Sequence, residues 1–302
     1  MKIKGIVTII RVPFLVLALI LGILGTSVAW YESRRFGSPF HLGRALLATF
    51  GLLVAHAAVN VFNEYFDARS SLDYRTCRTP FSGGSGAIPN GLLTERQALW
   101  LGLCCFLLII PIGIYFTLTS GWMLMPLLVL AMLLIVLYTP LILKMGYPEW
   151  SPGLGLGILP VVGAYFVHTA QYTADAVIAS VPSFLLVHNL LLLNEFPDAE
   201  ADITVGRRTL PIVIGKKGAA VVFSLLTLLV YLWLGGAVAL DRMPSGALLA
   251  LLTLPIALWV VRDAFRYDHV GIFLPAMLKN VLLVLVTQAL IAVGYLIAGL
   301  ML

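Results

Sequence analysis

Two short stretches carry half of this chain's acid: "NEYFDARSSLD", from Asn63 to Asp73, and its echo "NEFPDAEAD", from Asn194 to Asp202. Of the 14 carboxylates in the chain, Glu64, Asp67, Asp73, Glu195, Asp198, Glu200 and Asp202 fall in these windows. On a continuing helix Asn63 and Asp67 stand one turn apart on a shared face, as do Asn194, Asp198 and Asp202, while Glu64 and Glu195 point about a hundred degrees away. Like charges gathered this closely repel one another unless a cation balances them. Amide and carboxylate oxygens without His or Cys suit a hard divalent ion. Mg2+ typically takes one or two carboxylates and completes its shell with water and phosphate oxygens. Two facing Asp-bearing segments would therefore clasp a Mg2+-bound phosphate or diphosphate, with Asn63, Asp67, Asp198 and Asp202 as metal ligands.

A phosphate group also needs direct cationic contacts, and the polar connections of the chain supply Arg75, Arg78, Lys144, Arg207 and Arg208. The planar fork of arginine pairs bidentately with phosphate, and lysine acts as a point charge. Neutralising a leaving diphosphate stabilises a carbocation-forming transition state. The apolar sequence beneath could hold a long hydrocarbon chain.

What must position these residues is a membrane bundle. Mean hydropathy is +1.02, 61% of residues are hydrophobic and 11% charged, and the apolar blocks are about twenty residues long, enough to cross the hydrocarbon core as helix. Runs such as "LLVLAMLLIVLY" are continuous rather than alternating, which excludes a β-barrel. The expected fold is an all-α polytopic bundle, a single membrane domain over 1–302. Nine transmembrane helices are expected near 12–30, 43–62, 98–118, 121–142, 153–170, 176–194, 218–239, 246–265 and 272–299. The opening "MKIKGIVTIIR" has the layout of a signal peptide, but the apolar run that follows is longer than a usual signal core, so an uncleaved first span is expected. With the N-terminus inside, all 19 Lys and Arg except Arg34, Arg35, Arg44 and Arg242 fall on the inner side, Lys2 and Lys279 included. The positive-inside rule then puts the N-terminus and both acidic connections in the cytoplasm of a multi-pass plasma-membrane protein. The net charge of +5 follows topology, with no basic stripe for nucleic acid. Cys77, Cys104 and Cys105 have no metal-ligand spacing, and no obligate protein partner is implied.

The two motifs lie four spans apart, an even number, so they emerge on the same side, as a parallel internal repeat would arrange them. Their residues resemble the UbiA superfamily of intramembrane prenyltransferases. The hallmark of that superfamily is Asn-x-x-x-Asp with a further Asp after the second helix, and Asp-x-x-x-Asp after the sixth. "NEYFDARSSLD" fits the first and "NEFPDAEADITVGRRTLPIVIGK" the second, and the likeness spans about residues 5 to 300. "TCRTPFSGGSGAIPNGLLT" and "YTPLILKMGYPEWSPGLGLGILPVVGAYFV" are similar to connections of the menaquinone-pathway branch, which transfers a polyprenyl chain to 1,4-dihydroxy-2-naphthoate.

The resemblance implies nine helices around a central cavity, a cytoplasmic cap formed by two Asp-rich loops, and a lateral opening to the bilayer for the tail. It implies Mg2+-dependent transfer from a polyprenyl diphosphate to an aromatic acceptor, with Asp67, Asp198 and Asp202 catalytic and metal-bound. Asn194, Arg75, Arg78, Lys144, Arg207 and Arg208 would bind substrate, and Tyr138 has the position of a cavity-lining aromatic whose face steadies a carbocation. Within the superfamily a glycerol phosphate acceptor, a chlorophyll-type acceptor or a terpene cyclase is the alternative.

Two departures stand out. The common Asn-Asp start of the first motif is Asn63-Glu64, and the Asp often found four residues beyond Asp67 is Ser71, with Asp73 two positions later. A bend after Ser70-Ser71 would let Asp73 join the metal ligands. Gly83, Gly84 and Gly86 would serve a tight loop or touch phosphate, Gly153, Gly155 and Gly157 close helix packing, Asn189 an interhelical hydrogen bond, and His188 a structural role or a base. CDP-alcohol phosphatidyltransferases would need Asp-Gly and Ala-Arg pairs at fixed spacing in one segment, which this chain lacks. A cation-coupled transporter would need acidic residues at mid-membrane depth.

Overall fold

The computed structural model describes residues 3–302; Lys2, counted above on the inner side, lies outside them. A short helix, Ile3–Ile9, precedes nine apolar helices: α1 Val12–Phe36, α2 Leu42–Arg69, α3 Glu95–Ser120, α4 Trp122–Leu137, α5 Trp150–Thr169, α6 Ala174–Ile203, α7 Gly215–Ala239, α8 Ser245–Ala264 and α9 Val270–Leu300. Eight of these, 20 to 31 residues long, have the length and composition to cross a membrane. The exception is α4. The sequence suggested a span over 121–142, but the helix stops at Leu137, because Pro140 lacks an N–H and biases Thr139 away from helical geometry. At 1.5 Å per residue α4 reaches only about 24 Å, short of the ~30 Å hydrocarbon core.

Local signals set the other ends. Gly37 stops α1 in the left-handed conformation (φ 67°), its N–H returning to Ser33 O. Thr94 opens α3 with a reciprocal cap: its hydroxyl accepts from Gln97 N–H at 3.2 Å, and the Gln97 side chain accepts from Thr94 N–H at 3.1 Å. Thr173 caps α6.

The largest buried cluster joins α1, α5, α6, α7, α8 and α9 through Leu21, Tyr165, Leu186, Leu234, Ala250 and Ile291. Helices α5 and α6 touch nearly backbone to backbone: a Cβ on Gly157 would lie 2.7 Å from Phe184 N. This bears out the packing role read for that glycine. Helix α3 is the least embedded, with Leu107, Leu118 and Tyr115 exposed as on a lipid-facing surface.

A cavity of about 490 Å³ runs through the bundle. Its wall follows α2 from Asp67 to Ala48, about 28 Å of helix axis. Below Asn60 that wall is apolar except for His56, with Leu52, Ile112, Phe116, Leu127 and Val167 among its residues. Ile114, Met125 and Val129 line the cavity and are also exposed on the outer surface, so it opens sideways between α3 and α4.

Candidate active site

Asn63, Glu64 and Asp67 of the first motif, and the whole of the second, lie on helix rather than in loops, which corrects the expected cap of two Asp-rich loops. Nothing in "NEYFDAR" breaks a helix, so α2 continues past the expected end of its span to Arg69, where Ser71 takes up a left-handed turn (φ 61°). Helix α6 likewise runs on to Ile203, carrying Pro197 within it. The one-turn spacing therefore acts as read: Asn63 and Asp67 from α2, and Asn194, Asp198 and Asp202 from α6, all line the same end of the cavity. After Ser71 a single turn, Leu72–Tyr74, brings buried Asp73 to the same wall, and Tyr138 joins it from the end of α4.

One guanidinium bridges the two motifs. Arg207 donates to Asp202 Oδ1 at 3.0 Å and also to Asp67. Burial disfavours its charge, but Asp67 and Asp202 outweigh that and hold its pKa above the ordinary arginine value. The loop 75–94 closes over the same end. Gly83 donates its N–H to Asp198 Oδ2 at 3.0 Å, and Gly84 stands so close to Asp73 that a Cβ would lie 2.6 Å from Oδ1. Both glycines are left-handed, φ 77° and 78°, so only glycine combines this conformation with the close approach.

The arrangement holds uncompensated acid. Burial first, then the charges of Glu64 and Asp67, push the Asp73 carboxyl up to about 8. Asp73 Oδ2, Asn194 Oδ1 and Asp198 Oδ1 are buried without a hydrogen-bond donor. Oxygen acceptors aimed at one space and lacking donors are what a hard cation with phosphate would satisfy. Among the described residues no three His, Cys, Asp or Glu side chains close a metal shell by themselves.

Of the five cations expected to hold diphosphate, Arg207 alone lines the cavity; Arg75, Arg78, Lys144 and Arg208 are exposed beyond its wall. Arg78 reaches Asp73 O at 3.3 Å and Asn90 at 3.4 Å. His188 is buried off the cavity, hydrogen-bonded to Tyr147 at 2.9 Å, and Asn189 binds Phe223 O at 2.7 Å and Thr227 at 2.9 Å, a link between α6 and α7. Lys279 does not line the cavity; it stands 3.2 Å over the Trp259 ring.

Among the motif residues that sequence reasoning left without a task is Glu64. Fully buried, it accepts from Arg11 Nε at 3.0 Å, Ser85 N–H at 2.6 Å and Ser85 Oγ at 2.7 Å. It fastens the start of α1 and the glycine-rich loop to α2. Its signal was the departure from Asn-Asp: the extra methylene gives Glu the reach to both partners.

Comparison with known proteins places this geometry. The model of the UbiA prenyltransferase family matches residues 18–271. The chain is 30% identical over 196 residues to 1,4-dihydroxy-2-naphthoate octaprenyltransferase of Bacillus subtilis, a match spanning 64% of this chain and 62% of that relative. It is 27% identical over 239 residues to digeranylgeranylglyceryl phosphate synthase of Pyrococcus abyssi, spanning 74% of each. Among solved structures, a UbiA homolog from Aeropyrum pernix superposes with a TM-score of 0.72 at 17% identity, covering 94% of this chain and 98% of that one. A UbiA homolog from Archaeoglobus fulgidus, bound to GPP and Mg2+, superposes at 0.60 and 13% identity, covering 95% and 99%.

Proposed function

The chain belongs to the UbiA prenyltransferase family, and on that premise we propose that it transfers a polyprenyl group, with Mg2+, from a polyprenyl diphosphate to a small hydroxyl-bearing acceptor. The observation that carries this reading is the convergence of both acidic motifs on the polar end of one long apolar cavity. A molecule with a diphosphate head and a hydrocarbon tail has the polarity of that space.

In this reading Asn63, Asp67, Asp73, Asp198 and Asp202 hold the metal, and the unsatisfied oxygens of Asp73 and Asp198 fit it. The chemistry supplied by bound magnesium is charge neutralisation at the diphosphate oxygens. Arg207 and Asn194 bind the diphosphate, and Arg207 gives up its bridge between Asp67 and Asp202 to do so. Arg75, Arg78, Lys144 and Arg208 surround the entrance with positive potential that attracts an anionic donor. The carbon–oxygen bond to the departing diphosphate breaks, and the face of Tyr138 steadies the allylic cation. The apolar wall below excludes water, so the cation meets the acceptor first. The site would face the cytoplasm, where the basic residues gather.

For the acceptor, a glyceryl phosphate has the broader support: digeranylgeranylglyceryl phosphate synthases from several organisms match about three quarters of the chain. An aromatic acceptor such as 1,4-dihydroxy-2-naphthoate is the second reading, favoured by the 30% identity to the octaprenyltransferase. The test is mass spectrometry of products from purified protein with Mg2+ and geranylgeranyl diphosphate, offering each acceptor in turn, beside the Asp67→Ala, Asp198→Ala double variant. A metal-dependent prenylated product, absent with the variant, is expected, and the acceptor consumed decides between the readings. Diphosphate release with neither acceptor modified would instead indicate a cyclase, and no turnover of any donor would refute the proposal.

A further inference from the structure

The two motifs repeat each other in sequence but not in their hydrogen bonds. Glu64 and Glu195 occupy the same place, directly after the motif asparagine, and both are buried. Arg11 and Ser85 satisfy Glu64 completely. Glu195 Oε2 finds no donor at all, although the residue is 92% buried (8% exposed) and lines the cavity. A buried carboxyl oxygen without a donor is costly unless a ligand supplies one.

Its neighbours share the condition. The Thr209 hydroxyl is buried, faces the cavity and has no partner. Ser151, also buried, completes the patch. Glu149 gathers the three: its carboxyl lies close to that of Glu195, it accepts the Leu210 N–H at 2.6 Å next to Thr209, and it precedes Ser151 by two residues. This patch adjoins the metal-facing acids: on the α6 wheel Glu195 points about a hundred degrees from Asn194 but only about twenty degrees from Asp202, and Asp198 is turned to Gly83 of the loop.

We propose that Glu195, Thr209 and Ser151 form the subsite that receives an acceptor hydroxyl, which is the reacting group of a glyceryl phosphate and the ring-activating group of a dihydroxyarene. The inference rests on the prenyl-transfer reading above and adds to it where the second substrate sits. A glyceryl phosphate and a dihydroxyarene both carry the hydroxyl that Glu195 lacks, so the subsite selects for a hydrogen-bond donor and serves either class. It excludes analogues capped as ethers, because a buried acceptor would then remain unpaired.

The test is steady-state kinetics of the full chain with Mg2+, geranylgeranyl diphosphate and whichever of 1,4-dihydroxy-2-naphthoate or a prenylated glyceryl phosphate the wild type consumes. Glu195→Gln keeps the side-chain shape but turns part of the acceptor into a donor. It is expected to raise the acceptor KM by about tenfold or more while the donor KM stays within about twofold, and to release diphosphate in excess of product. Thr209→Val, a smaller change in the same patch, is expected to move the acceptor KM in the same direction. It carries the test if Glu195→Gln proves unstable in thermal unfolding. An unchanged acceptor KM in both variants, or donor and acceptor KM rising together, would overturn the assignment while leaving prenyl transfer intact. A wild type that releases no diphosphate from any donor would overturn both.

Discussion

Glu64 offers the sharpest test of how the site is held together. Its carboxylate is 0% exposed and faces an Arg11 guanidinium that is 20% exposed; two further donors come from Ser85. Glu64→Gln preserves volume and removes the charge, leaving the partly buried Arg11 without its direct partner. Breaking one side of such a pair costs about 3–5 kcal/mol; the partial exposure of Arg11 places the expected loss near the lower end, at about 3 kcal/mol. Arg11→Met should cost about as much, because Glu64 then keeps only Ser85. Replacing both removes the buried charges together, and the double variant should be far less damaged than the sum, with a coupling energy of at least ~2 kcal/mol. Reversible unfolding in mixed micelles, followed by tryptophan fluorescence, measures all four corners of the cycle. Additivity within about 0.5 kcal/mol would refute the pair as a structural clamp. The same variants report on function: Ser85 lies two residues beyond Gly83, whose N–H holds Asp198. Loosening the loop should therefore raise the Mg2+ concentration for half-maximal activity.

Mg2+ itself should stabilise the wild type against thermal unfolding, by about 2.7 kcal/mol at a hundred times its Kd, and Asp198→Asn should abolish most of that gain; an equal gain in both would remove Asp198 from the metal set. Arg207→Lys loses the two-pronged contact with Asp67 and Asp202 and is expected to weaken donor binding by about 1.5–3 kcal/mol, read as a tenfold or greater rise in donor KM; an unchanged KM would exclude diphosphate contact. Gly84→Ala combines left-handed strain of about 1–2 kcal/mol with a Cβ 2.6 Å from Asp73 Oδ1, whereas Gly91→Ala carries the strain alone, with nothing within 4 Å. Transfer activity should fall sharply in the first and little in the second; equal losses would mean that Asp73 position is immaterial.

Much of the architecture was legible because membrane helices obey local rules. Apolar runs of spanning length located every long helix, and the one failure, α4, came from a proline whose effect outweighed an apolar run that continues past it. The span ends were read too short at 62 and 194, since hydropathy stops where charge begins but backbone hydrogen bonding does not. The helices run on to Arg69 and Ile203. The i,i+4 spacing of Asn63 with Asp67, and of Asn194, Asp198 and Asp202, depends only on helical period, which is why these residues were found before any contact was known.

The cations were harder to place. Arg75, Arg78, Lys144, Arg207 and Arg208 look alike in sequence, being basic residues in polar connections, yet only Arg207 turns into the cavity. Whether a long flexible side chain faces ligand or solvent is settled by the path of its loop, and no local pattern encodes that path. Arg11, assigned only to topology, lines the cavity and anchors Glu64 for the same reason.

The sequence alone thus determined that the chain spans a membrane as helices and that two acidic clusters, each on one helical face, emerge at the same end. Periodicity and transfer free energy act within a segment and need no partner. Only the tertiary structure decided that the two faces meet over one cavity, that Gly83 and Gly84 close upon Asp198 and Asp73, and that Glu64 is satisfied while Glu195, its counterpart, is not. Those outcomes depend on contacts between residues far apart in the chain, where packing distance rather than spacing determines which donor finds which acceptor.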